Sequence, residues 1–115
     1  MTKLKDTQSA LSKFEEAAIK HAEATEHGDY KTANKSYATI VKVISFLKER
    51  DEILTLSGFL NHNSVGPRLW AAGYLLPVME NEGISVLEQI TRESGIHSLT
   101  AKTALSEWRK GNLKL

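Results

Sequence analysis

The sequence predicts an all-α fold of about six helices in three antiparallel pairs, and three observations carry that prediction. Apolar residues recur at intervals of three and four along most of the chain, the spacing that lines one side of a helix. Short clusters of Gly, Asn, Ser and Pro separate these stripes at the places where helices would have to turn. No stretch sustains the apolar–polar alternation of a strand, so none is expected. With 115 residues, 41% hydrophobic and 25% charged, the chain is long and apolar enough for a single domain spanning residues 1–115 with a sizeable core.

Thr7 or Ser9 is suited to cap a first helix running to about Glu26, with Leu11, Phe14, Ala17, Ala18, His21, Ala22 and Thr25 on one stripe and Lys13, Glu16, Lys20 and Glu23 opposite. Gly28 supplies a left-handed stop and Asp29 a cap for the second helix, which makes a tight helical hairpin. Tyr30, Ala33, Tyr37, Ile40, Val41, Ile44 and Leu47 form the second helix's expected core face, and Lys31, Lys35, Lys42 and Glu49 its polar one. A third helix, about Arg50 to Leu60, uses Ile53, Leu54, Leu56, Phe59 and Leu60. The turn Asn61 to Gly66 feeds a short fourth helix, opened by Pro67 as a first helical residue and ended by Pro77. After Glu82 and Gly83, Ile84 to Arg92 makes a fifth, closed by Gly95. Ser98 or Thr100 caps the last, whose stripe is Ala101, Ala104, Leu105 and Trp108, ended by Gly111.

The turn followed by Pro67-Arg68-Leu69-Trp70-Ala71-Ala72, after an apolar helix ending Phe59-Leu60, resembles a HEAT repeat. The whole chain resembles a bacterial family of domains of unknown function (number two thousand and nineteen) through Arg68-Leu69-Trp70-Ala71-Ala72, Leu76-Pro77 and Glu107-Trp108-Arg109-Lys110-Gly111. These likenesses imply a HEAT/armadillo-like right-handed α-α superhelix and carry no activity with them. Gly28-Asp29-Tyr30, Ala33 and Tyr37 also look like the hinge of a tetratricopeptide repeat, but no second copy follows.

Fifteen basic residues against fourteen acidic leave a formal charge of +1, and neither half of the chain is strongly basic, so nucleic acid is not an expected partner. Cysteine is absent, which removes disulfides, thiolate catalysis and Cys-type zinc sites. The opening Met1-Thr2-Lys3-Leu4-Lys5-Asp6 has no apolar run and no segment reaches a membrane span's length, so a cytoplasmic protein without membrane attachment is expected.

Arg68 falls within the apolar arc of the fourth helix and needs a partner there, which suggests a structural brace on carbonyls or a carboxylate, with an anion anchor as the alternative. Trp70 and Tyr74 are helical neighbours on the opposite side. Either they pack on the second and sixth helices or, exposed, they anchor a protein partner, with Lys35 and Lys42 at one end of the patch and Lys102 or Arg109 at the other. Trp108 reads as core, and Arg109 and Lys110 as cations favouring the last helix's C-terminus. His21 reads as a hydrogen-bonded core residue, while His62 and His97 sit in turns suited to capping or to solvent. No catalytic set, metal site or cofactor motif emerges. The expected function is therefore that of a non-catalytic protein-interaction module, monomer or homodimer, of the adaptor or toxin-neutralising immunity type. The alternative is a small metal-dependent or acid–base enzyme using Glu23, His27 or the turn histidines.

Overall fold

The computed structural model describes residues 4–93 and 95–113, so Met1-Thr2-Lys3 of the N-terminal stretch lies outside the described residues. Those residues form five α-helices and one 3-10 helix, with no strand among them, in agreement with the predicted class: α1 (Thr7–Glu26), α2 (Tyr30–Glu49), the 3-10 helix Ile53–Phe59, α3 (Val65–Leu75), α4 (Glu80–Thr91) and α5 (Ile96–Arg109). The fold divides into two units, Met1–Thr55 and Leu56–Leu115.

The first unit is a helical hairpin. α1 is capped by Asp6 rather than by Thr7 or Ser9: the Asp6 carboxylate accepts the Ser9 backbone N–H at 2.8 Å, one of the donors a helix start leaves unpaired. At the other end Gly28, at φ 70°, lets its own N–H reach the Thr25 carbonyl and the Asp29 N–H reach that of Ala24. Asp29 then begins α2, accepting from the Thr32 N–H at 3.1 Å and the Thr32 hydroxyl at 2.7 Å. The three-residue connection thus ends one helix and starts the next, as its sequence indicates. α1 packs on α2 through small side chains, Ala10, Ala17, Ala18, Ala22 and Ala24, around the fully buried Phe14. Leu11, His21 and Thr25, expected on this stripe, are only half-buried.

The buried face of α2 differs from the predicted one. Ser36, Ile40, Val43, Ile44 and Leu47 are inside, whereas Tyr30, Tyr37 and Val41 are exposed. The helix carries more apolar positions than one arc can bury, and the compact aliphatic residues fit against the alanine-rich α1 where the tyrosines would not. After α2, Glu52 accepts the Thr7 hydroxyl at 2.6 Å and Arg50 Nε at 2.7 Å, joining the beginning of α1 to the chain that leaves α2.

The predicted third α-helix is instead the 3-10 helix Ile53–Phe59, in which Leu56 is buried and Leu54 exposed. Gly58 and the short run explain the tighter coil, since an α-helix this brief gains few internal hydrogen bonds.

In the second unit α3 packs on α4, and α4 on α5. Pro67 occupies the third position of α3 rather than the first, where its missing N–H still falls among the unpaired donors of the opening turn. Helix α4 begins at Glu80 and runs through Gly83 instead of starting after it. A Cβ at Gly83 would lie 2.9 Å from the Ala72 carbonyl oxygen and 3.0 Å from Leu76 Cδ2, so the absent side chain lets α4 approach α3. That contact offsets the roughly 1 kcal/mol glycine costs within a helix. Leu75, Leu76, Leu87, Ile90, Ala101 and Leu105 are buried. Gly95, predicted to close α4, is the N-cap of α5, and neither Ser98 nor Thr100 caps it. The buried Ser98 hydroxyl donates to the Gly95 carbonyl at 2.9 Å, and Thr100 bonds to Ile96. Gly111 ends α5 as expected, with the Asn112 N–H on the Glu107 carbonyl at 2.9 Å.

Candidate functional site

Helix α3 carries the residues of greatest interest. Trp70 and Tyr74, four positions apart, are both half-buried, and their rings stack with centroids 6.1 Å apart and planes inclined by 21°. Neither is a core residue and neither projects alone, so the pair forms an ordered aromatic plate. On the same helix Arg68 Nη1 donates to Glu93 Oε2 at 3.3 Å, with 18% of its side chain accessible. Of the two kinds of acceptor expected from the sequence, carbonyls or a carboxylate, this bond uses a carboxylate. Arg68 Nε is buried and has no acceptor among the described residues.

Lys102 and Arg109 meet in a cleft between α4 and α5 of about 460 Å³, floored by Leu105 and edged by Ser106, Thr91 and Glu88. Arg109 Nη2 donates to Glu88 Oε2 at 3.3 Å, so this cation has a side-chain partner beyond the helix terminus invoked from sequence. Trp70 and Tyr74 do not line that cleft. Lys35 and Lys42 belong to the first unit and are exposed on α2. Lys35 lines a groove of about 240 Å³ between α1 and α2 with Lys13, Lys20 and Glu16, while Lys42 stands outside it.

Trp108 corrects its sequence assignment. It is half-buried rather than core, because its Nε1–H donates to Glu80 Oε2 at 2.7 Å and holds the indole at the surface. An indole N–H demands an acceptor, and the acidic first turn of α4 supplies one.

The histidines are dispersed. His27 Nδ1 lies 2.8 Å from the Glu23 carbonyl oxygen; a carbonyl only accepts, so the ring donates and carries a proton on that nitrogen. His62 Nδ1 accepts the Ser64 N–H at 2.9 Å in the turn before α3; that N–H belongs to the N-cap residue, so the ring orders the turn without capping the helix. His21 and His97 are half-buried. Among the described residues no three His, Asp or Glu side chains converge as metal ligands.

Four carboxyls of the first unit are held below their ordinary range by hydrogen bonds: Asp6 by the Ser9 backbone, Glu16 by Lys20, Asp29 by the Thr32 hydroxyl and N–H, and Glu52 by Thr7 and then Arg50. In each case the bond favours the ionised form. Three of these groups serve as caps or the hairpin staple, so their perturbation belongs to the scaffold.

No family model and no curated protein matches the chain. Among solved structures, the crystal structure of the protein RPA1889 from Rhodopseudomonas palustris CGA009 is similar over 98% of this chain and 99% of its own, with a TM-score of 0.89 and 21% sequence identity. A likeness at that identity shows the shared all-helical fold. No helix among the described residues is long and apolar enough to cross a membrane.

Proposed function

We propose that the chain is a HEAT-like protein-interaction module of the adaptor or toxin-neutralising type, working without chemistry of its own, and that α3 presents its anchor. The resemblance drawn from Arg68-Leu69-Trp70-Ala71-Ala72 supports the HEAT-like part of this reading and carries no activity with it. The observation that carries it is the stacked, half-buried pair of Trp70 and Tyr74. Trp and Tyr dominate binding hot spots because they offer large contact areas with few rotatable bonds. Stacking restricts those rotations before a partner arrives and reduces the ordering cost of association.

The test is capture of a partner from the native host by the intact chain and by Trp70→Ala, with thermal melting of both proteins. Removing the anchor should weaken the complex by ~2 kcal/mol or more, about thirtyfold in Kd, with the fold retained and the melt lowered far less than by loss of a core side chain. A collapse of the melting temperature would return the indole to a packing role and remove the proposed anchor. An adjacent toxin gene in the host would identify the partner class directly.

A further inference from the structure

The groove between α1 and α2 holds a polar side chain that the hairpin does not use. Ser36 is only 6% exposed and lines that groove, yet its hydroxyl makes no hydrogen bond among the described residues. The oxygen opens on to the groove rather than being sealed, since Arg68 Nε is the one fully enclosed side-chain polar atom without a partner among those residues. The hydroxyls to either side are engaged: that of Thr32 donates to Asp29 at 2.7 Å and that of Thr39 to the Lys35 carbonyl at 3.3 Å. Close packing asks for a small residue at position 36, but alanine meets that demand at five buried positions of α1. The hydroxyl is therefore extra to the fold, and a buried polar group without a partner calls for an explanation. Three lysines edge the same groove, Lys13 and Lys20 from α1 and Lys35 from α2, with Glu16 as its one carboxylate. Glu16 pairs with Lys20 at 3.0 Å, whereas the half-buried Lys13 and the exposed Lys35 have no ion pair among the described residues. Two positive charges are left over around the free hydroxyl.

We propose that this groove binds a phosphate monoester, with Lys13 and Lys35 supplying the charge and the Ser36 hydroxyl donating to a phosphate oxygen. Charge, donor number and size select this occupant. A phosphate monoester carries about −1.5 to −2 charges near pH 7 and three strong acceptor oxygens, which matches two unpaired ammonium groups and a hydroxyl. A monocarboxylate would leave one ammonium uncompensated. Lysine serves phosphate as a point charge, so the two side chains need no fixed fork geometry. The groove's volume of about 240 Å³ lies below the ~300–1,000 Å³ of clefts that take drug-sized ligands, so the bound group is small. Towards the turn the groove continues past Glu23 and Asp29. Their carboxylates repel an anion there, which confines it to the part beside Ser36 and disfavours a long polyanion.

The experiment titrates the full chain at constant ionic strength with glycerol 3-phosphate, with acetate, and with phosphatidylcholine vesicles with and without phosphatidic acid. Amide chemical shifts should show glycerol 3-phosphate saturating a site around Ser36, and acetate failing to do so. Binding of the phosphatidic acid vesicles as well would place the monoester on a lipid headgroup, and their failure to bind would place it on a soluble molecule. Ser36→Ala should weaken binding of glycerol 3-phosphate about tenfold, the size of one hydrogen bond to a charged group, without lowering the melt, because the hydroxyl has no partner in the fold. Lys13→Gln combined with Lys35→Gln should weaken it about tenfold or more. Glu16→Gln should instead strengthen it, since it removes the opposing charge and releases Lys20. Trp70→Ala should not matter, which separates this groove from the α3 anchor. Equal binding of acetate, no binding, indifference to Ser36→Ala or to the lysine pair, a lowered melt of Ser36→Ala, weakening by Glu16→Gln, or vesicle binding without glycerol 3-phosphate binding would each overturn the proposal.

Discussion

The two units start their helices by different means. In the first, Asp6 and Asp29 each accept a backbone N–H from their helix's opening turn, so the ends of both twenty-residue helices are written into adjacent sequence. In the second, Ser64, Met79 and Gly95 stand at the N-caps of α3, α4 and α5 without any side-chain cap bond. These shorter helices depend on packing instead, most visibly where α4 comes against the Ala72 carbonyl at Gly83. Local hydrogen bonding therefore delimits one unit and tertiary contact the other, and substitutions of the two kinds should separate them.

The largest effect is expected from Phe14→Ala, since Phe14 is the one large side chain among the buried residues of α1, the others being alanines. A loss of ~3–5 kcal/mol in denaturant unfolding is expected. Gly83→Ala comes next. Its new methyl group meets a backbone oxygen that cannot rotate away, and a loss of about 1–3 kcal/mol should result despite alanine's better helix propensity. If Gly83→Ala were instead stabilising, the close approach of α3 and α4 would be disproved. Trp108→Phe keeps most of the ring and deletes the bond to Glu80, so the cost should not exceed about 1 kcal/mol.

The caps supply the smallest and most selective test. Asp29→Ala should lower the melting temperature more than Ser64→Ala, because only the former removes a cap bond. Acid sharpens this contrast. Hydrogen bonds hold Asp6, Asp29 and Glu52 below their ordinary carboxylate values in the folded hairpin. Their contribution is complete above the ordinary range and is lost as pH falls through the depressed folded values, below about pH 4. Asp29→Asn, which keeps an acceptor without an ionisable group, should flatten the acid limb of a stability–pH curve.

What the sequence disclosed follows the same division. The turn at Gly28-Asp29 was legible because a left-handed glycine and an aspartate cap are local signals, and the ends of α1 and α2 followed from it. The start of α4 was not legible, since Gly83 reads as a breaker until Ala72 is placed against it. The 3-10 coil of Ile53–Phe59 was hidden because its apolar content fits either helix type. At the candidate sites, the adjacency of Trp70 and Tyr74 and the need of Arg68 for a partner were readable from helical spacing and charge, but not which acceptor it would find. The acceptor for Trp108 was not, because Glu80 lies 28 residues away. The exposed tyrosines of α2 were mistaken for core because periodicity identifies apolar lines without saying which of two adjacent lines is covered; bulk was the overlooked signal.

The Thr7–Glu52 bond bears on how the hairpin assembles. It joins residues 45 apart in sequence at the open mouth of the hairpin, whereas Gly28 and Asp29 bring α1 and α2 together from the closed end. Closing the long loop first would restrict dozens of residues for one contact, while closure from the turn brings neighbouring positions together step by step. The hairpin should therefore zip from Gly28 towards its mouth and open in the reverse order. Amides at the start of α1 and the end of α2 would then exchange with solvent by partial opening, well before those beside the turn.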